Sequence, residues 1–296
     1  MHARWHALFV GLALASASAP AAAFCRSTTC TKQCPLDENG CKKTGTPLQW
    51  RGGCAGMSLQ KDGTALLAPD EIRRVMDAAL ATWTTVQCPG GMANIGFRRL
   101  ADVPCHTVGF DPNGANANVV MFDDNQWPYQ GTDNTLAFTT VTFDPTSGEI
   151  LGADIEINSA YNILTTGDVN VGYDLQSILT HELGHALGLG HSNDPGATMN
   201  PSYERGDTAI RVLGDDDVAA ICGAYPATRA AQCDPIPRGG FSSVCPSPTP
   251  DFGSHKSCSV AEPGEAVATG GAVTALAASI ALGLRRRRRR GIPPWQ

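Results

Sequence analysis

The sequence is poor in charge. Only 17% of its 296 residues are Asp, Glu, Lys or Arg, against 42% hydrophobic, which excludes a chain disordered throughout and leaves room for one sizeable globular domain plus extensions. Basic residues are scarcer still away from the ends. Without Arg4, the six arginines Arg285 to Arg290, Glu262 and Glu265, the 22 basic and 28 acidic residues fall to 15 and 26, a net charge of −11. A body that acidic argues against a nucleic-acid partner. Paired C-x-x-C units are missing from the N-terminal group Cys25, Cys30, Cys34 and Cys41, so disulfides are a better reading there than a zinc knuckle. Histidine is sparse too. Between Phe24 and Thr180 there is only His106.

Both ends carry targeting signatures. The first 23 residues combine a basic start, a short apolar run and a small-residue end in A-A-A, a secretory signal with cleavage expected after Ala23. A lipoprotein signal is the rival, with Cys25 so near, but Phe24 is a poor residue immediately before a lipidated cysteine. Export also suits the eleven cysteines, since disulfides persist in oxidising compartments. The ten from Cys25 to Cys245 could pair as five bridges, leaving Cys258. Residues 24–46 read as a Cys-rich segment whose bridges hold a cap.

At the other end, residues 258–296 contain the Ala-rich apolar stretch Ala266 to Leu284, then the six arginines. The stretch is long enough to span a bilayer, and the arginines would stay cytoplasmic. The order of cysteine, hydrophobic segment and arginine cluster resembles the C-terminal sorting tails of myxobacterial surface proteins. That resemblance implies membrane association before or instead of processing, and surface display with Cys258 as the anchoring point.

The chemistry is concentrated in T-H-E-L-G-H-A-L-G-L-G-H-S, Thr180 to Ser192. Upstream, Asp174 can cap free N–H groups, and Leu175, Ile178, Leu179, Leu183 and Ala186 recur at helical spacing. His181 and His185 therefore project one turn apart from the same face and can reach a single metal ion. A continuing helix would carry His191 away from them. Gly188, free to adopt positive φ, ends the helix and lets the chain turn back. Three neutral imidazoles suit Zn²⁺ with a fourth position open for water. Glu182, beside the first ligand, is placed to act as general base and then acid.

H-E-L-G-H-A-L-G-L-G-H resembles the extended signature H-E-x-x-H-x-x-G-x-x-H of the metzincin zinc peptidases at every fixed place. In G-A-T-M-N-P-S-Y, Met199 follows His191 by eight positions, which is similar to the methionine turn of the matrixins (matrix metalloproteinases), as is Ser192 after the third histidine. The resemblance implies one catalytic zinc held by His181, His185 and His191, with Glu182 catalytic and Gly188 and Met199 as structural supports. Tyr203 lies four positions beyond Met199 rather than two, leaving three histidines and water as the expected ligand set. By the same resemblance, Pro201 to Tyr203 form a wall of the pocket for the residue after the cut.

Residues 47–226 read as this peptidase domain. Ile72, Val75, Met76, Ala79, Leu80 and Trp83 form the apolar stripe of one helix. G-M-S-L-Q, I-G-F-R-R-L, N-V-V-M-F-D, T-L-A-F-T-T-V-T-F and E-I-L-G-A-D-I-E-I-N are strands, the last two joined as a hairpin by D-P-T-S-G. The matrixin resemblance implies an α+β fold: a twisted, mostly parallel five-stranded sheet with an antiparallel edge strand, packed on helices. Thr135 to Phe143 would be that edge, where an extended substrate adds as another strand. Asp154 and Glu156, alternating with Ile155 and Ile157, read as a solvated face, and Asp215 to Asp217 as helix-capping acids.

F-D-P-N-G-A-N-A-N and F-D-D-N-Q carry oxygens suited to Ca²⁺ without a complete ligand set. With His106 alone upstream, the second, structural zinc of vertebrate matrixins is expected to be absent, and so is the P-R-C-G-x-P-D cysteine switch. Residues 227–257 read as a Pro/Ser/Cys linker with a bridge from Cys233 to Cys245. The expected activity is that of an exported zinc endopeptidase, secreted or held at the cell surface or outer membrane, acting on proteins or peptides through a metal-activated water. The alternative is a non-catalytic zinc-binding adhesion protein on a degenerate fold of the same type.

Overall fold

The computed structural model describes residues 23–129, 135–245 and 253–258. Along the chain the principal elements are β1 (Phe24–Arg26), β2 (Ala55–Leu59), α1 (Pro69–Thr84), β3 (Phe97–Arg99), β4 (Val119–Phe122), β5 (Ala137–Phe143), β6 (Ile150–Ile157), α2 (Leu175–Ala186), β7 (Leu189–Ser192), α3 (Asp215–Ala224) and β8 (Gly253–Cys258). The expected α+β layout is present. Neighbours β3, β2, β4 and β6 run parallel, and β5 lies antiparallel beside β6. The β5–β6 turn forms where anticipated. Asp144 accepts hydrogen bonds from the N–H groups of Thr146 (2.9 Å) and Ser147 (2.8 Å), a side chain standing in for a backbone turn.

Helix α1 starts with Pro69 in its first turn and carries Asp70 and Glu71 there, as its fixed φ and the helix dipole favour. All six stripe residues are buried. They join Leu179 and Leu183 of α2 and the inward residues Val120, Phe122, Val141, Phe143, Ile155 and Ile157 in one core. Each large apolar side chain buried this way contributes about 1.5–3 kcal/mol, an upper figure because the unfolded chain already buries some of its surface. Two tryptophans fasten α2 from outside: Trp83 Nε1 donates to Thr180 O (2.7 Å) and Trp50 Nε1 to Ala186 O (2.8 Å).

The opposite face of the sheet is covered as well, which corrects the solvated reading of Asp154 and Glu156. These residues are only 7% and 6% exposed. The Asp154 carboxylate accepts from Gly109 N (3.1 Å) and Val119 N (2.9 Å), and the Tyr129 hydroxyl donates to Glu156. A second apolar cluster, Val103, Cys105, Ala117, Val119 and Met121, fills this side. Largely parallel sheets are usually covered on both faces. Here loops form the second cover.

Ten cysteines do form five bridges: Cys25–Cys41, Cys30–Cys34, Cys54–Cys233, Cys88–Cys222 and Cys105–Cys245. The expected Cys233–Cys245 pair is not among them. Each of those cysteines instead ties the segment after α3 to the domain. Asn116 helps, with Nδ2 donating to Arg238 O (2.8 Å) and its N–H to Gly240 O (2.9 Å). Asn116 Oδ1 also accepts from Asp111 N (2.7 Å), so in the F-D-P-N-G-A-N-A-N loop this side chain is bonded to backbone.

A sixth strand extends the sheet. β8 pairs antiparallel with β5, from Gly253 opposite Phe143 to Cys258 opposite Phe138. The edge expected to be open is thus covered by the chain itself. Among the described residues no helix is long and apolar enough to cross a membrane, and the expected span, 266–284, lies outside them, as do the first 22 residues of the signal segment 1–23.

Candidate metal centre

The local sequence around α2 brings the three histidines together. Asp174 Oδ2 accepts from Ser177 N (2.8 Å), capping the helix, and the same carboxylate is gripped by Arg211 through Nε (2.7 Å) and Nη2 (2.6 Å). One turn apart on α2, His181 Nε2 and His185 Nε2 lie 3.1 Å from each other. The helix then stops. Gly188 has φ +81°, and a Cβ there would lie 2.4 Å from Leu48 O, so the turn demands glycine for both reasons. β7 follows, pairs with β1, and returns His191 so that its Nε2 is 3.2 Å from that of His185.

These distances suit a metal. Two nitrogens on one tetrahedral zinc, each at about 2.0–2.1 Å, sit about 3.3–3.4 Å apart. Among the described residues, this trio is the one group of three or more His, Cys, Asp or Glu side chains with ligand atoms so gathered, all within 4.8 Å. Backbone carbonyls orient two of the rings: Nδ1 of His181 faces Thr198 O (2.7 Å) and that of His185 faces Leu189 O (2.9 Å). Protons on those Nδ1 atoms leave the Nε2 lone pairs for a metal. Burial, then the neighbouring His191, pushes the His181 pKa down to about 3. That ring is neutral, as a ligand must be. His106 lies elsewhere, 3.5 Å from Asp62.

Glu182 is fully buried next to His181, and its Oε2 accepts from the Thr139 hydroxyl of β5 at 2.5 Å. Thr139 was not singled out in the sequence. Nothing in a strand's two-residue period says which inward position will meet a helix carboxylate.

Met199 is buried beneath the histidine helix, where Gly184 makes room. A Cβ on Gly184 would lie 2.2 Å from Met199 Sδ and 2.9 Å from Trp83 Cζ2. The methionine turn is held by Asp217, whose carboxylate accepts from Thr198 N (2.6 Å), Met199 N (3.0 Å) and Gly214 N (2.9 Å). Burial raises the Asp217 pKa, with those three donors opposing the rise. Asp216 accepts from the Ser192 hydroxyl (2.6 Å) and from Ala23 N (2.8 Å). The acidic run therefore does more than cap α3. The bond from Gly214 N is the expected cap, those from Ser192, Thr198 and Met199 clamp the metal-side loops, and that from Ala23 holds the residue before β1. Tyr203 is buried, with its hydroxyl accepting from Asp174 N (3.0 Å) and donating to Asp207 O.

The sequence also matches known proteins. The matrixin family model covers residues 50–226. Human matrilysin is 38% identical over 101 residues, covering 34% of this chain and 35% of that protein. A probable matrix metalloproteinase 095L of Invertebrate iridescent virus 3 is 38% identical over 128 residues, 40% of this chain and 32% of its own length. Human neutrophil collagenase is 33% identical over 115 residues, 38% and 23% respectively. The chain thus spans about a third or less of the length of these curated relatives.

Proposed function

Because the chain belongs to the matrixin family, we propose that it is an exported zinc endopeptidase that hydrolyses peptide bonds of extracellular proteins. The observation that carries this reading is the gathering of three imidazole Nε2 atoms, 3.1 and 3.2 Å apart along the series, beside a buried glutamate. His181, His185 and His191 would hold the ion. A zinc so bound supplies an acidified water and polarises a carbonyl oxygen. Glu182 takes the proton of the attacking water and passes it to the leaving amine. Thr139, donating to one carboxylate oxygen, fixes the direction of the other. The substrate backbone would lie extended along β5, whose residue Thr139 touches Glu182, because a strand edge offers N–H and C=O groups to a peptide.

The rival reading, a zinc-binding adhesion protein without turnover, requires no base. An intact Glu182 with its own hydroxyl donor favours the enzyme. The discriminating experiment compares zinc-loaded parent and Glu182→Ala on labelled casein. The parent is expected to cut, the variant to retain zinc and lose 10²–10⁴-fold in kcat, which is about what general acid–base catalysis contributes. Equal turnover by the two proteins would remove Glu182 from the mechanism, and no turnover by the zinc-loaded parent across a peptide library would hand the site to the binding reading.

A further inference from the structure

β8 lies where, on the peptidase reading, a bound peptide would lie. It runs antiparallel to β5 over six residues and covers the outer row of N–H and C=O groups on that strand. The register brings it to the reactive end: Ser257 is opposite Thr139, the residue whose hydroxyl reaches Glu182. A strand edge forms one ladder with one partner at a time. An incoming peptide and β8 therefore compete for the same row.

The two competitors differ in how they arrive. A substrate comes from solution, whereas Gly253 is eight positions beyond Cys245, which a disulfide fixes to Cys105. So short a tether gives an effective concentration of about a millimolar. The strand itself is a poor one. G-S-H-K-S-C contains no β-branched or aromatic residue, the types that favour strands, so proximity rather than intrinsic pairing strength holds it. An occupant of this kind yields to a better peptide.

Resting on the peptidase reading of the site, we infer that Gly253–Cys258 is a built-in competitive inhibitor strand, which occupies the peptide-binding edge of β5 until a substrate displaces it. Competition of this sort raises the apparent KM and leaves kcat alone.

The test replaces His255 and Lys256 together by proline in the full chain. Successive residues of a strand alternate in direction, so one of the two lost N–H groups faces β5 whatever the phase. In a Glu182→Ala background, where neither tail nor probe can be cut, a fluorescein-labelled casein peptide is titrated onto zinc-loaded protein with and without the prolines. The proline pair is expected to tighten binding at least fivefold. With Glu182 intact, the same pair should lower KM for a labelled casein peptide at least fivefold and change kcat by less than twofold. Equal affinities in the two Glu182→Ala proteins, or no measurable binding by either, would overturn the inhibitor strand and leave the peptidase reading standing. A fivefold affinity difference without turnover in any zinc-loaded chain would overturn the peptidase reading alone.

Discussion

The two faces of the sheet are closed by different means. On the face under α1 and α2, side chains from the two helices interlock with alternate strand residues in one apolar core, and the histidine cluster is built on this side from α2, β7 and the methionine turn. On the other face five buried residues, Val103, Cys105, Ala117, Val119 and Met121, make a thin layer. Around them stand the carboxylates Asp154 and Glu156, the loop held by Asn116, and the Cys105–Cys245 bridge. The first face is stabilised by burial of regular elements, the second by a long-range disulfide and by carboxylates hydrogen-bonded to the covering loops. The metal centre belongs wholly to the first. Damage to the second should therefore cost stability without touching zinc.

The largest expected effects separate chemistry from stability on the helix side. His185→Ala should abolish turnover together with zinc, read by metal content after dialysis. Glu182→Ala should lower kcat about 10²–10⁴-fold with zinc retained. On the loop side, Cys105→Ser with Cys245→Ser opens a bridge between residues 140 apart in sequence and should cost about 2–5 kcal/mol, measured by denaturant unfolding. Zinc content of the folded double variant should equal that of the parent. A loss of zinc at low denaturant would show that the two faces are coupled.

A change of comparable size is expected from Arg211→Ala. Asp174 is fully buried and would lose its bidentate partner while still capping α2. Removing one member of a buried ion pair costs about 3–5 kcal/mol. The lower end applies here, because the Arg211 side chain is 18% exposed. Arg211→Lys should recover only part of the loss, since an ammonium cannot reproduce the planar fork. Full recovery would mean that charge alone matters at this position.

The same contrast explains what was legible in the sequence. The stripe of α1, the cap at Asp174, the Gly188 turn, the D-P-T-S-G hairpin and the three histidines are local patterns, set within a few turns of chain, and the structure reproduces each one. What escaped depends on distant segments meeting. Thr139 reaches Glu182 across 43 positions. Asp217 clamps Met199 from the next helix, and Cys233 and Cys245 turn outward to Cys54 and Cys105 rather than to each other. Asp154 and Glu156 misled for a related reason: alternation looks the same whether the polar face meets water or a polar loop. β8 was hidden because its residues are not strand formers and its pairing comes from proximity to β5.

The smallest predicted effect probes the loop face through pH. Burial pushes the Asp154 carboxyl up to about 7, with Glu156 adding to the rise and the N–H groups of Gly109 and Val119 opposing it. Burial, then Glu156 and Asp124, likewise raises Asp123 to about 6. In the unfolded chain both would ionise near about 4. Below that point folded and unfolded chains both hold the protons, and the groups cost nothing. From about pH 4 upward the unfolded chain releases protons that the folded chain retains, so stability falls as pH rises and is lowest above about 7. Asp154→Asn has no proton to release. Relative to the parent, it should flatten the decline between pH 5 and pH 8 by on the order of 2–3 kcal/mol, read as the difference in unfolding midpoint at the two pH values. Any constant offset from the altered hydrogen bonds cancels in that difference. Parallel curves for parent and variant would mean that the Asp154 carboxyl is ionised inside the fold, its two backbone donors outweighing burial, and that the loop face is a charged layer.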